Sequence, residues 1–315
     1  VAIRVGFGEG LLAAGDADER VVGLCADLTE STHMLPFRTK HPDRFVEMGV
    51  AEQDLACVAS GMAAMGKVPF ITSYAMFSPG RNWEQIRTTI CYNNRPVKIA
   101  GSHAGVSVGP DGGTHQAIED MAITRVIPRM VVISPCDSIE ARKATIAAAK
   151  TDTPVYLRLA RDKTPVITTD ATPFEIGKAR VYWDSALAKP GLEPKVTIIA
   201  TGALVHQALH AACELAESNV GTIVVSLSTI KPLDGETILA AVKRAPRVVT
   251  VEEHQIAGGM GSAVAEFLAQ HFPVPQEFIG VHDLFGQSGA PSELIEHYGM
   301  DAPHIVEAVR TIGGR

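Results

Sequence analysis

The sequence lacks any apolar run approaching the roughly 18 residues of a membrane-spanning helix, so it carries no sign of a transmembrane segment. It also lacks an excess of positive charge. Lys and Arg number 28 against 35 Asp and Glu, a formal net charge of -7. That balance excludes the electrostatic footprint of a nucleic-acid binder or of a basic membrane-surface protein. Cysteine is sparse and scattered, at Cys25, Cys57, Cys91, Cys136 and Cys213, with no CxxC pair and no zinc spacing. An odd set of isolated thiols suits a reducing cytoplasm. There is no low-complexity stretch and no short tandem repeat. The first residues lack a charged region followed by an apolar signal core. The chain starts abruptly on VAIRVGFGEG, and we expect residues preceding Val1.

What is present is enough apolar material for a substantial core: 315 residues, 46% hydrophobic and 20% charged. That length suits two domains of ordinary size. Strands are expected at 21–28, 68–73, 97–102, 130–135 and 154–161, and helices at 3–15, 81–93, 115–124 and 138–150. Strands alternating with helices imply a mostly parallel sheet with helices on both faces. The pattern breaks between Asp162 and Pro194, where Pro165, Pro173, Pro190 and Pro194 punctuate a polar stretch. We read 1–165 as one domain, 166–194 as a linker with a little strand at 179–183, and 195–315 as a second, smaller α/β domain. The second has strands at 196–202, 222–228 and 247–254 and helices at 204–217, 234–244, 260–270 and 302–312. The fold class is α/β, with two doubly wound domains whose ligands should bind in the loops after the strands.

Phe45 to Gly66, FVEMGVAEQDLACVASGMAAMG, reads as a short strand, a tight turn and a helix. Leu55, Val58, Ala59, Met62 and Ala63 fall at the three-and-four spacing of one buried face. Glu52 sits in the first helical turn, where the helix dipole favours a charged carboxylate. Ordinarily such a residue is a helix-start acid and nothing more. A second signal is the loop SHAGVSVGPDGGTHQAIED, 102–120. Its glycines permit unusual backbone angles and close ligand approach. They let His103, Asp111 and His115 converge from one loop, although a lone loop histidine is usually a surface residue.

The G-V-A-E-Q stretch before a small-residue helix resembles the pyrimidine-binding domain of transketolase and its thiamine-diphosphate relatives. So does H-x5-G-x-D-G-x-T-H-Q, the pattern from His103 to Gln116. The resemblance spans nearly the whole chain. It implies that Glu52 hydrogen-bonds N1' of the cofactor's aminopyrimidine, promoting the tautomer that removes the thiazolium C2 proton. PFITSYAMFSPGRNWEQIR, 69–87, resembles the family's aromatic segment followed by R-x-x-(D/E)-Q-I-R. By that likeness Tyr74 and Phe77 form the wall for the aminopyrimidine, with Phe70 behind or beside them. A-D-L-T-E-S at 26–31 implies that Asp27 belongs to the network around the cofactor and that Ser31 binds phosphate. Arg4, in A-I-R, and Arg161, in RLARDK, are implied phosphate ligands, with Arg158 a weaker candidate. Arginine suits the role because its planar fork donates two hydrogen bonds at once. His103 would also contact phosphate, Asp111 the acceptor's C2 hydroxyl, and His115 the cofactor-bound dihydroxyethyl group. Each of these side chains has an ordinary structural use as well: arginines solvated, aromatics in the core, Asp27 and Ser31 as turn residues.

In this family the cofactor diphosphate is held through a divalent metal by a G-D-G motif followed by an asparagine. No such motif fits here: Gly15-Asp16-Ala17 departs from it, and Leu233-Asp234-Gly235 lies in the second domain. The chain therefore looks like the C-terminal subunit of a split transketolase. The implied partner is an N-terminal subunit that grips diphosphate and Mg2+ or Ca2+. Family two-fold symmetry implies self-pairing within an α2β2 complex that acts on sugar phosphates. The rivals are a deoxyxylulose-phosphate-synthase-like subunit, a 2-oxoacid dehydrogenase β-type subunit and a non-catalytic scaffold. Deoxyxylulose-phosphate synthases carry Asp-Arg near His103, and the dehydrogenase subunits lack the G-x-D-G-x-T-H-Q loop. Gly258-Gly259-Met260-Gly261 resembles a structural turn of the family's C-terminal domain, as do VEEH (251–254) and GVHDLF (280–285). That domain is expected to lie away from the chemistry and to serve assembly.

Overall fold

A computed structural model describes residues 1–314. Two sheets organise it. The first collects β1 (Val21–Cys25), β2 (Phe45–Glu47), β3 (Val68–Tyr74), β4 (Lys98–Ser102), β5 (Val131–Ile133), β6 (Val155–Arg158) and β10 (Thr229–Lys231). The second collects β7 (Arg180–Asp184), β8 (Val196–Ala200), β9 (Thr222–Ser226), β11 (Val248–Gln255) and β12 (Gln276–Val281). Their orders are β10-β5-β6-β4-β3-β1-β2 and β12-β11-β8-β9-β7. Pairing is parallel throughout except at one edge of each sheet, where β10 runs against β5 and β7 against β9. Residues of β1, β4, β6, β8 and β9 are buried on both faces. This is why runs such as VVGLC and VTIIA read as nearly continuously apolar rather than alternating.

The first sheet is flanked by α1 (Ile3–Ala17), α2 (Leu35–Lys40), α3 (Glu52–Ala64), α4 (Trp83–Gln85), α5 (Asp120–Arg125) and α6 (Ser138–Ala149). Helix α1 packs on α6 at close range because Gly6 has no side chain; a Cβ there would lie 1.8 Å from the Ser138 carbonyl oxygen. The second sheet carries α7 (Ser185–Ala188), α8 (Val205–Glu217), α9 (Gly235–Arg244), α10 (Met260–His271), α11 (Pro291–His297) and α12 (Ala302–Gly313).

Several elements differ from the sequence expectation. The first strand stops at Cys25, because Asp27 turns the chain with a φ of 59°. The helix expected at 81–93 is one turn of α-helix that widens into a π-helix at Ile86–Tyr92. The helix expected from His115 begins only at Asp120. Residues 113–115 form a turn instead, and Ala117 is held by a single bridge to Ala104, with the Gly105 amide bonded to the Ala117 carbonyl at 2.8 Å. In α3 the buried face comprises Glu52, Leu55, Ala56, Ala59, Ser60 and Ala63, whereas Val58 is exposed. The helix is turned toward the π-helix, where Ser60 Oγ donates to the Thr89 carbonyl at 2.6 Å. Strands β10 and β12 and helices α2 and α11 were not anticipated. Strand β10 is the structurally consequential one, since a segment from the second half completes the first sheet.

Candidate active site

Strand ends place the candidate residues. Tyr74 closes β3, His103 follows β4, Asp27 follows β1 and Arg161 follows β6. All lie beyond carboxyl ends of the first sheet, where open α/β sheets bind ligands.

Glu52 opens α3 and is 2% exposed. Its Oε2 accepts a hydrogen bond from Arg81 Nη1 at 2.6 Å, and its backbone carbonyl accepts from Asn82 Nδ2 at 2.9 Å. Ser73 Oγ stands 3.5 Å from the other carboxylate oxygen. The Arg81 guanidinium also lies over the Phe77 ring, 4.8 Å from its centroid. The buried carboxylate and the aromatic wall are thus one side chain apart. Tyr74 and Phe77 are half-buried and nearly parallel, with centroids 6.3 Å apart and an interplanar angle of 17°. His115 meets both edge-on, at 5.4 Å from Phe77 and 6.4 Å from Tyr74. Phe70 stands apart, fully buried in the core 6.4 Å from Phe7. It underpins the strand and is not among the exposed rings.

On the other side of Tyr74 is a cationic cluster. His103 stacks on the Tyr74 ring at 3.8 Å, and its Nδ1 pairs with Ser102 Oγ at 2.9 Å. Its backbone is left-handed, with φ 57°. Arg4 Nη1 donates to the Ser31 carbonyl, and Arg4 Nε donates to the Arg161 carbonyl at 3.2 Å. Ala2 bridges to Lys163, which brings the start of α1 beside the loop after β6. Burial pushes the His103 imidazole down to about 3, helped by the charges of Arg4, Arg161, His33 and His115. Burial and the neighbouring Arg161 also lower Arg4. Cations gathered this closely invite an anion.

Asp111 is exposed at the end of the glycine-rich loop, and Arg161 Nη1 anchors that loop through the Val108 carbonyl. Asp27 is exposed in the loop after β1. Its amide donates to Glu47 Oε1 at 2.7 Å, while Thr29 Oγ1 donates to Glu47 Oε2 at 2.7 Å. Glu47 therefore shapes the A-D-L-T turn, a role that sequence reasoning missed. It missed Arg81 and His33 as well. Arg81 was visible as the first residue of the R-x-x-E-Q-I-R run; His33 carried no signal.

One candidate is excluded. Arg158 is buried and bound inward: Nε donates to Asp120 Oδ2 at 2.8 Å, and Nη2 donates to the Glu253 and Ala117 carbonyls at 2.8 and 3.2 Å. Tyr156 donates to the same Asp120 oxygen at 2.6 Å. Arg158 is thus a strut and not a phosphate ligand. The Gly258–Gly261 turn is structural, as expected. Glu252, buried and pushed up to about 7 by desolvation, accepts from the Met260 and Gly261 amides at 2.6 and 2.8 Å, filling the N-terminus of α10. Among the described residues no group of three His, Cys, Asp or Glu side chains could hold a metal ion.

Comparison with known proteins fits this geometry. Residues 1–166 match the family described as transketolase, pyrimidine binding domain, and residues 186–305 match the transketolase C-terminal domain. A putative transketolase C-terminal section from Methanocaldococcus jannaschii is 41% identical over 310 residues, covering 98% of this chain and 95% of that one. A 6-deoxy-6-sulfo-D-fructose transketolase subunit from a Clostridium species is 39% identical, covering 97% and 92%. Among solved structures, a split-gene transketolase described as an inactive β4 tetramer superposes with a TM-score of 0.91 at 39% identity, covering 100% of this chain and 99% of that one. The chain belongs to the transketolase family, as a pyrimidine-binding domain joined to a C-terminal domain and closely related to a split-gene β subunit.

Proposed function

We propose that this transketolase subunit moves a two-carbon ketol unit between sugar phosphates, completing its active site with a partner subunit. The observation that carries the reading is the double contact of Arg81, which sets a buried carboxylate and a flat aromatic wall side by side. A planar aminopyrimidine needs both, so the residues present fit thiamine diphosphate. When bound, that cofactor supplies the electron sink for carbon–carbon cleavage. Glu52 would hold the pyrimidine's N1' through a hydrogen bond and so favour the tautomer that the chemistry needs. Tyr74 and Phe77 would face the ring, and Asp27, on the turn held by Glu47, would border it. Arg4, Ser31, His103 and Arg161 would bind the substrate phosphate. Asp111 would orient an acceptor hydroxyl, and His115, at the rim of the rings, would exchange a proton with substrate oxygen.

The diphosphate and its Mg2+ or Ca2+ would be held by the partner, an N-terminal transketolase subunit. The simplest assembly is α2β2 with this chain paired on itself, in the cytoplasm. The working units would be 1–165 and 195–315, joined by the linker 166–194. Magnesium bridging phosphate oxygens is a strong electrostatic contact, so most cofactor affinity should come from the partner. Alone, this chain should bind thiamine diphosphate weakly or not at all and show no ketol transfer. Adding the partner should restore metal-dependent binding and activity together. Calorimetry and a coupled assay, with and without partner, test this. Tight magnesium-dependent binding or turnover by the isolated chain would refute it.

A further inference from the structure

The loop that carries Asp111 is gripped from behind by the second half of the chain. Glu253, buried on β11 of the second sheet, accepts a hydrogen bond from the Ser107 amide at 2.6 Å. Gln116 Nε2 donates to the Val106 carbonyl at 2.9 Å and, at the same distance, to the carbonyl of Gln287. Arg161 holds the Val108 carbonyl. Three successive residues, 106 to 108, are therefore each fixed through a backbone atom. Fit is close as well as bonded. A Cβ on Gly105, whose φ is 90°, would lie 2.3 Å from Glu253 Cδ, and one on Gly113 would lie 2.7 Å from the Gly286 carbonyl oxygen. His103 and Asp111 stand at the two ends of the clamped segment. Holding its middle fixes how the two are presented to a common ligand.

We infer that Glu253 is a positioning residue: its carboxylate, supplied by the C-terminal domain, sets the loop that carries Asp111 and touches no substrate itself. This rests on the functional reading above for the claim that the loop meets substrate. It gives the C-terminal domain a part in the site, where the sequence implied only assembly.

The charge is not what the clamp requires. Arg158, whose charge also acts on Glu253, has a carboxylate partner of its own in Asp120 Oδ2 at 2.8 Å. Glu253→Gln retains an acceptor oxygen for the Ser107 amide, whereas Glu253→Ala removes it. Glu253→Asp keeps the charge but withdraws it by one methylene. Amide hydrogen exchange on the full chain should show residues 105–113 exchanging about tenfold faster in the alanine variant, because the buried Ser107 amide is left without its acceptor. The aspartate variant should behave alike and serves if alanine prevents folding; glutamine should match wild type. In the complex with the partner subunit, Glu253→Ala and Glu253→Asp should lower kcat/KM for a ketose phosphate by a similar factor. They should leave C2 proton exchange of bound thiamine diphosphate, which depends on Glu52, unchanged. Glutamine should restore kcat/KM. Unchanged loop protection in both alanine and aspartate variants, or transfer and C2 exchange falling together, would overturn the inference. Absence of transfer from the wild-type complex would overturn the functional reading instead, and the exchange result would identify it as that failure.

Discussion

Replacing Arg161 with alanine tests the phosphate assignment most directly, because the structure gives the residue two separable jobs. One Nη donates to the Val108 carbonyl, and among the described residues no partner takes the remaining donors of the fork, which leaves them for an anion. A charge-assisted hydrogen bond to phosphate is worth roughly 1.5–3 kcal/mol. At tenfold per about 1.4 kcal/mol, KM for a phosphorylated ketose should rise by about 10- to 100-fold. Half-exposure of Arg161 favours the lower end through solvent screening. An unphosphorylated donor should lose less, only what release of the Val108 carbonyl costs. A second readout needs no turnover. His103 is pushed down to about 3 by burial first and then by Arg4, Arg161, His33 and His115. Removing one of those cations should raise it. Adding a sugar phosphate to the wild-type complex should raise it too, so that binding takes up a proton once pH falls toward the raised value. An imidazole NMR titration of His103 in wild type and Arg161→Ala, with and without ligand, measures this. Equal KM losses on phosphorylated and unphosphorylated donors, with no movement of His103, would mean that Arg161 only ties down the loop.

Glu52→Ala in the assembled complex should slow C2 proton exchange of bound thiamine diphosphate by orders of magnitude while leaving assembly intact; quench-flow with NMR detection at the wild-type rate would sink the assignment. Stability should fall on acidification: His103 is held at about 3 and His254 at about 4, both below the usual 6.5, so the unfolded chain takes up two protons that the native chain refuses. Their contribution is complete above pH 6.5 and is lost as pH drops toward 4. Glu252, held at about 7, works the other way with one proton, since its contribution is lost as pH rises from 4.5 through 7. Glu119, Glu140 and Glu253 are raised as Glu252 is, and His33 and His206 are lowered as the two histidines are, so the opposing groups offset one another between pH 4.5 and 6.5. The net decline in the urea midpoint should come below pH 4.5, where the lowered Asp16, Asp18 and Asp234 add to the histidines, and a midpoint that climbs there would refute the balance.

The order of strands and helices was largely legible because buried parallel strands such as VVGLC and VTIIA are nearly all apolar and are separated by helices of the right length. The boundaries failed where backbone conformation overrode side-chain pattern. Asp27 takes a left-handed φ and ends a strand early, and the pairing of Gly105 with Ala117 keeps the segment before α5 from coiling. Strand β10 was illegible because three residues carry no period and its partner β5 lies roughly a hundred positions earlier. Within the site, Glu52, Tyr74, Phe77, His103 and His115 are side chains whose types announce chemistry, and the structure brings them together. Arg158 was misjudged because an arginine near a strand end looks the same in sequence whether it faces a ligand or a buried aspartate.

The contact of the C-terminal domain with the glycine-rich loop was hidden for a different reason, although a physical signal was available. VVTVEEHQ is an apolar strand that ends in two carboxylates and a histidine, and all three are buried. Buried ionisable groups are costly unless each finds a partner, so such a strand end announces three polar contacts to be identified. Glu252 finds the α10 amides, His254 accepts from the Ala122 amide, and Glu253 reaches a loop 146 residues earlier. Alternation along the strand sends Glu253 to the side opposite its two neighbours. One face therefore closes the second domain on its own helix and on α5, while the other holds the glycine-rich loop. A motif that resembles a structural signature thus carries both functions, and only the partner of each side chain distinguishes them.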